Sequence, residues 1–120
     1  MSFLVMFDYK KKHTYDARTS ESRRITSKYP DRLPIICEVH HKSDLVLDKH
    51  KYLVPHDLTI GQFIYVLRRR IKLPPEKAIY LFTGRNQMPP TSMLLSKIYA
   101  ESKDEDGFLY FMINSESTFG

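Results

Sequence analysis

One stretch of this chain is punctuated at both ends, and it limits what the rest can fold around. Thr59 and Gln62 have the spacing of a capping box, in which each side chain satisfies the other's free backbone N–H, and Leu58 just before the cap can staple onto Phe63. Ile60, Phe63, Ile64, Leu67 and Ile71 then recur at the period of one helix face. Arg68, Arg69, Arg70 and Lys72 crowd the end where the helix dipole favours cations, and Pro74-Pro75 stops the helix. A helix with so marked an apolar stripe must bury it, and the runs on either side read as strands.

Upstream, Leu33 to Val39 alternates: Leu33, Ile35, Cys37 and Val39 share a core-facing parity, with Pro34, Ile36 and Glu38 outward. Ile36 is therefore expected on a solvent face, where a charged substitution would leave the fold intact. Pro34 cannot donate to a ladder, so this strand is expected at a sheet edge. After a polar turn, His40 to Asp44, a second strand is predicted from Leu45 to Val54, with Lys49, Lys51 and Leu53 on one face. Downstream, Ala78 to Thr83 reads as a strand, Gly84 to Pro90 as a loop and Thr91 to Ala100 as a short helix. Phe108 to Ile113 is almost continuously apolar, as expected of a strand at the centre of a sheet. Before Pro30 the pattern predicts two short helices, Phe7 to Lys12 and Thr19 to Lys28, the second with Ser20 as its cap. A hairpin, a helix, two further strands and a central last strand make the α+β, ubiquitin-like β-grasp arrangement with two additional N-terminal helices. The expected division is 1–28 helical, 29–113 core and 114–120 a flexible tail.

At 120 residues the chain has room for one core, and a single cysteine, Cys37, excludes an internal disulfide and a four-cysteine zinc site, so an intracellular chain is expected. The apolar run Phe3 to Phe7 is too short for a signal-peptide core or a membrane span, which predicts a soluble protein. The net charge of +5 divides unevenly, with +4 over residues 1–32, +3 over 33–72 and −2 over 73–120. That asymmetry points to an acidic partner: nucleic acid, an anionic membrane or acidic peptide segments. Lys10 to Lys12 suit a solvated face and a membrane contact equally well. With Arg23, Arg24, Arg68 to Arg70 and nearby tyrosines they make nucleic-acid binding the alternative function, although no RNA-recognition, zinc-finger or glycine-rich clamp motif accompanies them. Cys37 beside His40 and His41 suggests a nucleophile and base, but Cys37 has core parity and no neighbouring charge to depress its pKa. His40, His41, His50 and His56 lack a familiar ligand spacing. The sequence therefore predicts no catalytic residue, no metal site and no cofactor.

Lys28-Tyr29-Pro30-Asp31-Arg32, Leu47 to Pro55, Asp57-Leu58-Thr59 with Gly61-Gln62-Phe63, Pro89-Pro90-Thr91-Ser92 and the ending Phe119-Gly120 closely resemble the autophagy ubiquitin-like modifiers, the family of the GABA-receptor-associated protein and the microtubule-associated light chain. The likeness covers the chain beyond Phe7; the loop Thr83 to Gln87 and the extra Met1 to Leu4 depart from the usual pattern. The resemblance implies that Gly120 is activated by a ubiquitin-like activating enzyme, passed to a conjugating enzyme and joined to phosphatidylethanolamine, with a cysteine protease for processing and deconjugation. It implies a monomer, cytoplasmic when free and on autophagosomal membranes when lipidated, with no specific nucleic-acid partner. Receptors carrying aromatic-x-x-aliphatic motifs would bind by strand addition beside Leu33 to Val39. An aromatic pocket would be lined by Glu21, Ile25, Pro34, Ile36, Lys51, Leu53 and Phe108. An aliphatic pocket would use Tyr52, Val54, Pro55, Leu58, Phe63 and Val66, and Arg32, Lys49 and Arg70 would join Lys51 in an electrostatic rim.

Overall fold

A computed structural model describes residues 7–71 and 73–115. Two helices come first, α1 (Asp8–Lys12) and α2 (Tyr15–Lys28), followed by a hairpin of β1 (Arg32–Val39) and β2 (Lys51–Pro55). The long helix α3 (Ile60–Ile71), β3 (Tyr80–Thr83), α4 (Leu95–Ser102) and β4 (Leu109–Asn114) complete the chain. The sheet order is β2-β1-β4-β3; β1 pairs antiparallel with β2 and parallel with β4, and β3 is antiparallel to β4.

The capping box forms as the sequence predicts. The Thr59 N–H donates to Gln62 Oε1 at 2.9 Å and the Gln62 N–H to Thr59 Oγ1 at 3.1 Å. Ile60, Phe63, Leu67 and Ile71 are buried against Ile35, Cys37, Tyr52, Val54, Leu109, Phe111 and Ile113 on one face of the sheet. At the other end Arg68 donates to the Lys77 and Pro74 carbonyls at 2.6 and 3.2 Å, holding the turn that follows the helix.

The opposite face of the sheet is covered too, which corrects the outward parity expected of β1. Ile36 is fully buried, in a second core with Phe7, Ile25, Phe82, Phe108, Tyr110 and Met112 beneath α1 and α2. Pro34 is buried as well, and Glu38 turns its carboxylate to the start of α1, accepting the Asp8 and Tyr9 N–H groups at 2.7 and 2.9 Å. Helices on both faces explain why β4 is apolar at successive positions.

Nor is β1 an edge. Its parallel register with β4 starts at Ile35↔Leu109, one residue after Pro34, so proline stands where no second ladder yet requires an N–H. Among the described strands β2 and β3 are the edges. The helix α2 begins at Tyr15, four residues before the predicted start, because Thr14 rather than Ser20 is its cap and accepts the Ala17 N–H at 3.1 Å. β2 keeps only the last four residues of the expected strand and adds Pro55: Leu47 leaves the strand path to enter the core while Val46 is 74% exposed. Asn114 closes β4 rather than opening a tail.

Charge adds to the apolar contact of the second core by tying the N-terminal helices to the turn between α4 and β4. Lys10 pairs with Asp104, and Arg18 Nε donates to Asp106 Oδ2 at 2.7 Å, with Asp106 fully buried and the Arg18 side chain 12% exposed. The same Asp106 accepts the Tyr110 hydroxyl at 2.5 Å and the Phe108 N–H at 2.9 Å. Gly107 has φ +92°, and a Cβ there would lie 2.4 Å from Ser22 Oγ, so α2 can approach this turn only over glycine. Part of the charge asymmetry that suggested an external acidic partner is thus spent internally.

Removing the Asp106 carboxylate leaves Arg18 without its partner, so Asp106→Ala is expected to destabilise the chain by about 3 to 5 kcal/mol in urea titration. Burial opposes the charge on Asp104, but the Lys10 ammonium, the Asp106 N–H and Arg18 outweigh it and hold this carboxyl below its ordinary value. The folded chain therefore takes up this proton at lower pH than the unfolded chain does. The contribution is complete above the ordinary aspartate value, about 4, and is lost as pH falls through the depressed folded value. Asp104→Asn should flatten the acid limb of a plot of urea midpoint against pH.

Candidate functional site

The register of the hairpin decides which backbone groups of β2 remain open. The Cys37 N–H donates to the His50 carbonyl at 2.8 Å and the His56 N–H to the Asp31 carbonyl at 3.2 Å, so the pairs 37/50, 35/52, 33/54 and 31/56 hold the inward-facing bonds. Lys51 and Leu53 consequently turn their N–H and C=O groups to the outside. One of these groups is covered: Arg32 Nη1 donates to the Leu53 carbonyl at 3.1 Å.

The side chains of β2 alternate between two environments. Lys51 and Leu53 point to the α2 face. Leu53 packs on the second core beside Ile25, Ile36 and Phe108, is paired with Pro34, and lies next to Lys51, whose Nζ is 3.6 Å from Glu21 Oε1. The seven residues of the expected aromatic pocket are thus brought together, with Ile25, Ile36 and Phe108 as a fully buried floor and Glu21, Lys51 and Leu53 as a half-buried rim. The Arg24 guanidinium, 2.5 Å from Glu21, and then the Lys51 ammonium lower the Glu21 pKa against the effect of burial, so the rim carboxylate is ionised.

Tyr52 and Val54 point to the α3 face. Both are buried with Phe63, the Tyr52 and Phe63 rings meeting edge to face with centroids 5.8 Å apart, and Leu58 packs beside them. Pro55 is half-buried but has the parity of Leu53, so the strand puts it on the α2 face, apart from the rest of the expected aliphatic group, and Val66 on α3 is exposed. Lys49 Nζ lies 5.2 Å from the centre of the Tyr52 ring. The Tyr52 hydroxyl is buried without a hydrogen-bond partner, and burial first, then the nearby Cys37, pushes its pKa up to about 12. Arg32, Lys49 and Arg70 are all exposed around this edge.

Residues 17–120 match the family described as autophagy protein Atg8, ubiquitin-like. The chain belongs to the Atg8 family. It is 56% identical over 113 residues to autophagy-related protein 8 of Emericella nidulans, covering 93% of this chain and 95% of that one, and equally so to the Aspergillus niger protein. In structure it resembles Trypanosoma brucei ATG8, with a TM-score of 0.90 at 45% identity over 97% of this chain and all of that one. A Plasmodium falciparum Atg8, solved in complex with a P. falciparum Atg3 peptide, aligns with a TM-score of 0.85 at 35% identity, over 95% of this chain and all of that one. The ubiquitin-like α+β fold read from the element order is the fold of this family.

Other residues singled out in the sequence have structural duties in this Atg8-family chain. Cys37 is fully buried and burial pushes its thiol well above the ordinary range, which is unsuited to a nucleophile. His50 Nδ1 lies 3.0 Å from the Cys37 carbonyl, and the His40 and His41 rings face one another with centroids 4.5 Å apart. No group of three potential metal ligands occurs among the described residues. Gly120 lies outside the described residues. Sequence reasoning missed Arg18, Glu38, Asp104 and Asp106; the available signal was the acidic run Asp104-Glu105-Asp106 before Gly107, opposite in sign to the N-terminal third.

Because Ile36 is part of the second core, the tolerance expected of a solvent-facing residue does not apply. Ile36→Ala should lower stability by about 2 to 5 kcal/mol, whereas Leu53→Ala, at a half-buried rim position, should cost less than about 1.5 kcal/mol. Urea titration of the two variants checks this ordering.

Proposed function

We propose that this chain is a ubiquitin-like modifier conjugated through Gly120 to phosphatidylethanolamine, and that it presents β2 as a docking edge for aromatic-x-x-aliphatic segments. The position of the two residue groups on opposite faces of the β2 edge carries this reading. In an extended strand successive side chains alternate faces, so anchors three positions apart point in opposite directions. A segment lying along β2 therefore places its aromatic residue between β2 and α2 and its aliphatic residue between β2 and α3. The aliphatic group on the α3 face, around Val54 and Leu58, is nearer the C-terminal end of β2, so a segment with the aromatic residue first runs parallel to β2. Its backbone finds the outward groups of Lys51 and Leu53.

The aromatic side chain has to move the rim aside, since Ile25, Ile36 and Phe108 have no exposed surface in the free chain. Lys49, Lys51 and Arg70 would attract acidic flanks. The peptide complex of the Plasmodium Atg8 supports partners of this kind and includes the conjugating enzyme among them. The other implied partners are the activating enzyme and a processing and deconjugating cysteine protease. The location that follows is cytoplasmic when free and on the autophagosomal membrane when lipidated. The nucleic-acid alternative loses part of its basic surface to internal contacts: Lys10, Arg24 and Arg68 are bonded within the chain and Arg69 lies over Tyr65, while Lys11, Lys12, Arg23 and Arg70 stay exposed.

The test is incubation with cognate activating and conjugating enzymes, ATP and phosphatidylethanolamine liposomes. Deleting Gly120 should abolish the lipid conjugate and leave binding of an aromatic-x-x-aliphatic peptide unchanged. Leu53→Asp should weaken that peptide by about 1 to 3 kcal/mol and lower the thermal transition by less than Ile36→Ala does. A conjugate formed without Gly120, or a peptide indifferent to Leu53, would refute the reading.

A further inference from the structure

We infer that the cleft between α1 and the connection from β1 to β2 is a docking site for the chain's own first residues, with Phe3 to Met6 as its occupant. The cleft has a volume of about 390 Å³. Asp8, Tyr9, Lys12 and His13 line one side, a spacing that sets one face of α1 and its cap along the whole length. The other side is apolar. Val39 and Leu45 are half-buried against the α3-side core, and Val46 is 74% exposed although its neighbour Leu47 is buried. The buried acid at this place is already engaged, since the Glu38 carboxylate accepts the Asp8 and Tyr9 N–H groups. Asp8, Lys12 and His13 are exposed and form a rim. An occupant therefore gains most by presenting hydrocarbon to Tyr9, Val39, Leu45 and Val46.

The segment that meets this requirement is joined to the cleft. Residues 1–6 lie outside the described residues; their sequence has no charged side chain and four consecutive apolar ones, Phe3, Leu4, Val5 and Met6. Phe7 commits its own side chain to the second core and, with φ −79° and ψ 137°, leads in extended form into Asp8 at the side of the cleft. Six extended residues reach about 20 Å, whereas α1 rises about 8 Å over its five residues. A segment that folds back at Phe7 is thus long enough to lie beside all of α1. Being tethered, it is present at an effective concentration on the order of millimolar, which favours it over a second copy of the chain at ordinary protein concentrations. Met1 to Leu4 are extra to the usual family pattern, so the contact belongs to this chain rather than to the family. Seated there, the segment also holds the connection that leads into the open edge of β2.

The experiment uses the full chain and its Phe3→Asp and Val46→Asp variants. Val46 is exposed, so its variant should keep the fold, and circular dichroism checks this. In wild type the Phe3 ring should show nuclear Overhauser contacts to the Leu45 and Val46 methyls, unchanged on dilution. Phe3→Asp should move the methyl resonances of Val39, Leu45 and Val46. Chymotrypsin should cut after Phe3 or Leu4 slowly in wild type and about five- to thirtyfold faster in Val46→Asp, the factor by which losing one apolar contact changes the open population. Contacts that vanish on dilution would give the cleft to a second copy, and Phe3 contacts to Tyr80 or Phe82 would move the segment to the β3 edge. A Phe3 ring without protein contacts refutes the docking outright, and a response to phosphatidylcholine vesicles would then give the apolar run to a lipid surface. Any of these results, or a cleavage rate indifferent to Val46→Asp, overturns the assignment.

Discussion

The parallel pairing of β1 with β4 organises the molecule. A parallel ladder joins strands that are distant in sequence, and here it brings Ile35 to Val39 alongside Leu109 to Ile113. Once these two occupy the centre, the hairpin partner β2 is forced to one edge and β3 to the other. The α3 stripe then has a face to cover, and the remaining face is left for the N-terminal helices. The open groups of Lys51 and Leu53 follow from this order, because an outer strand has a neighbour on one side only.

The second face shows why the sequence was readable in one respect and misleading in another. Periodicity separates the two sides of a strand, and it correctly divided Ile35 and Cys37 from Ile36. It does not say what lies against each side. Ile36 was expected toward solvent because a two-layer fold is the simplest answer to an amphipathic strand, while the opposing layer comes from residues 7–28, whose apolar content is thin. Phe7 and Ile25 supply much of its apolar contact. The helix pattern of α2 was weak for the same reason, and its start was misplaced by four residues. Pro34 misled by a related route: a residue without an N–H signals a position without a ladder bond, which can be one residue short of a second strand as well as an edge.

The site was legible mainly through motif resemblance. Physical reasoning placed Thr59 and Gln62 in a cap, which stands; Leu53, read as lying among cations, keeps Lys51 beside it but packs on the second core, while Lys49 lies over Tyr52. The contribution of Arg32 was not legible as more than charge, because a guanidinium reaching a carbonyl 21 residues away depends on the hairpin register. The ion pairs of Lys10 and Arg18 are similar. Their partners lie 94 and 88 residues away, and only the closed sheet brings them within reach.

The layering of helices on both sides of the sheet has a geometrical consequence for recognition. A sheet with one bare face offers an area to its partners, and an area is matched best by another folded surface. Here both faces are taken, and β2 offers a line of five residues, about 17 Å at the rise of an extended chain. A line is matched by a line. A few residues of an otherwise unfolded chain suffice to fill it, so a small alphabet of short segments can share one docking edge, and each can be strengthened or weakened by a single side-chain change without any partner having to evolve a complementary fold.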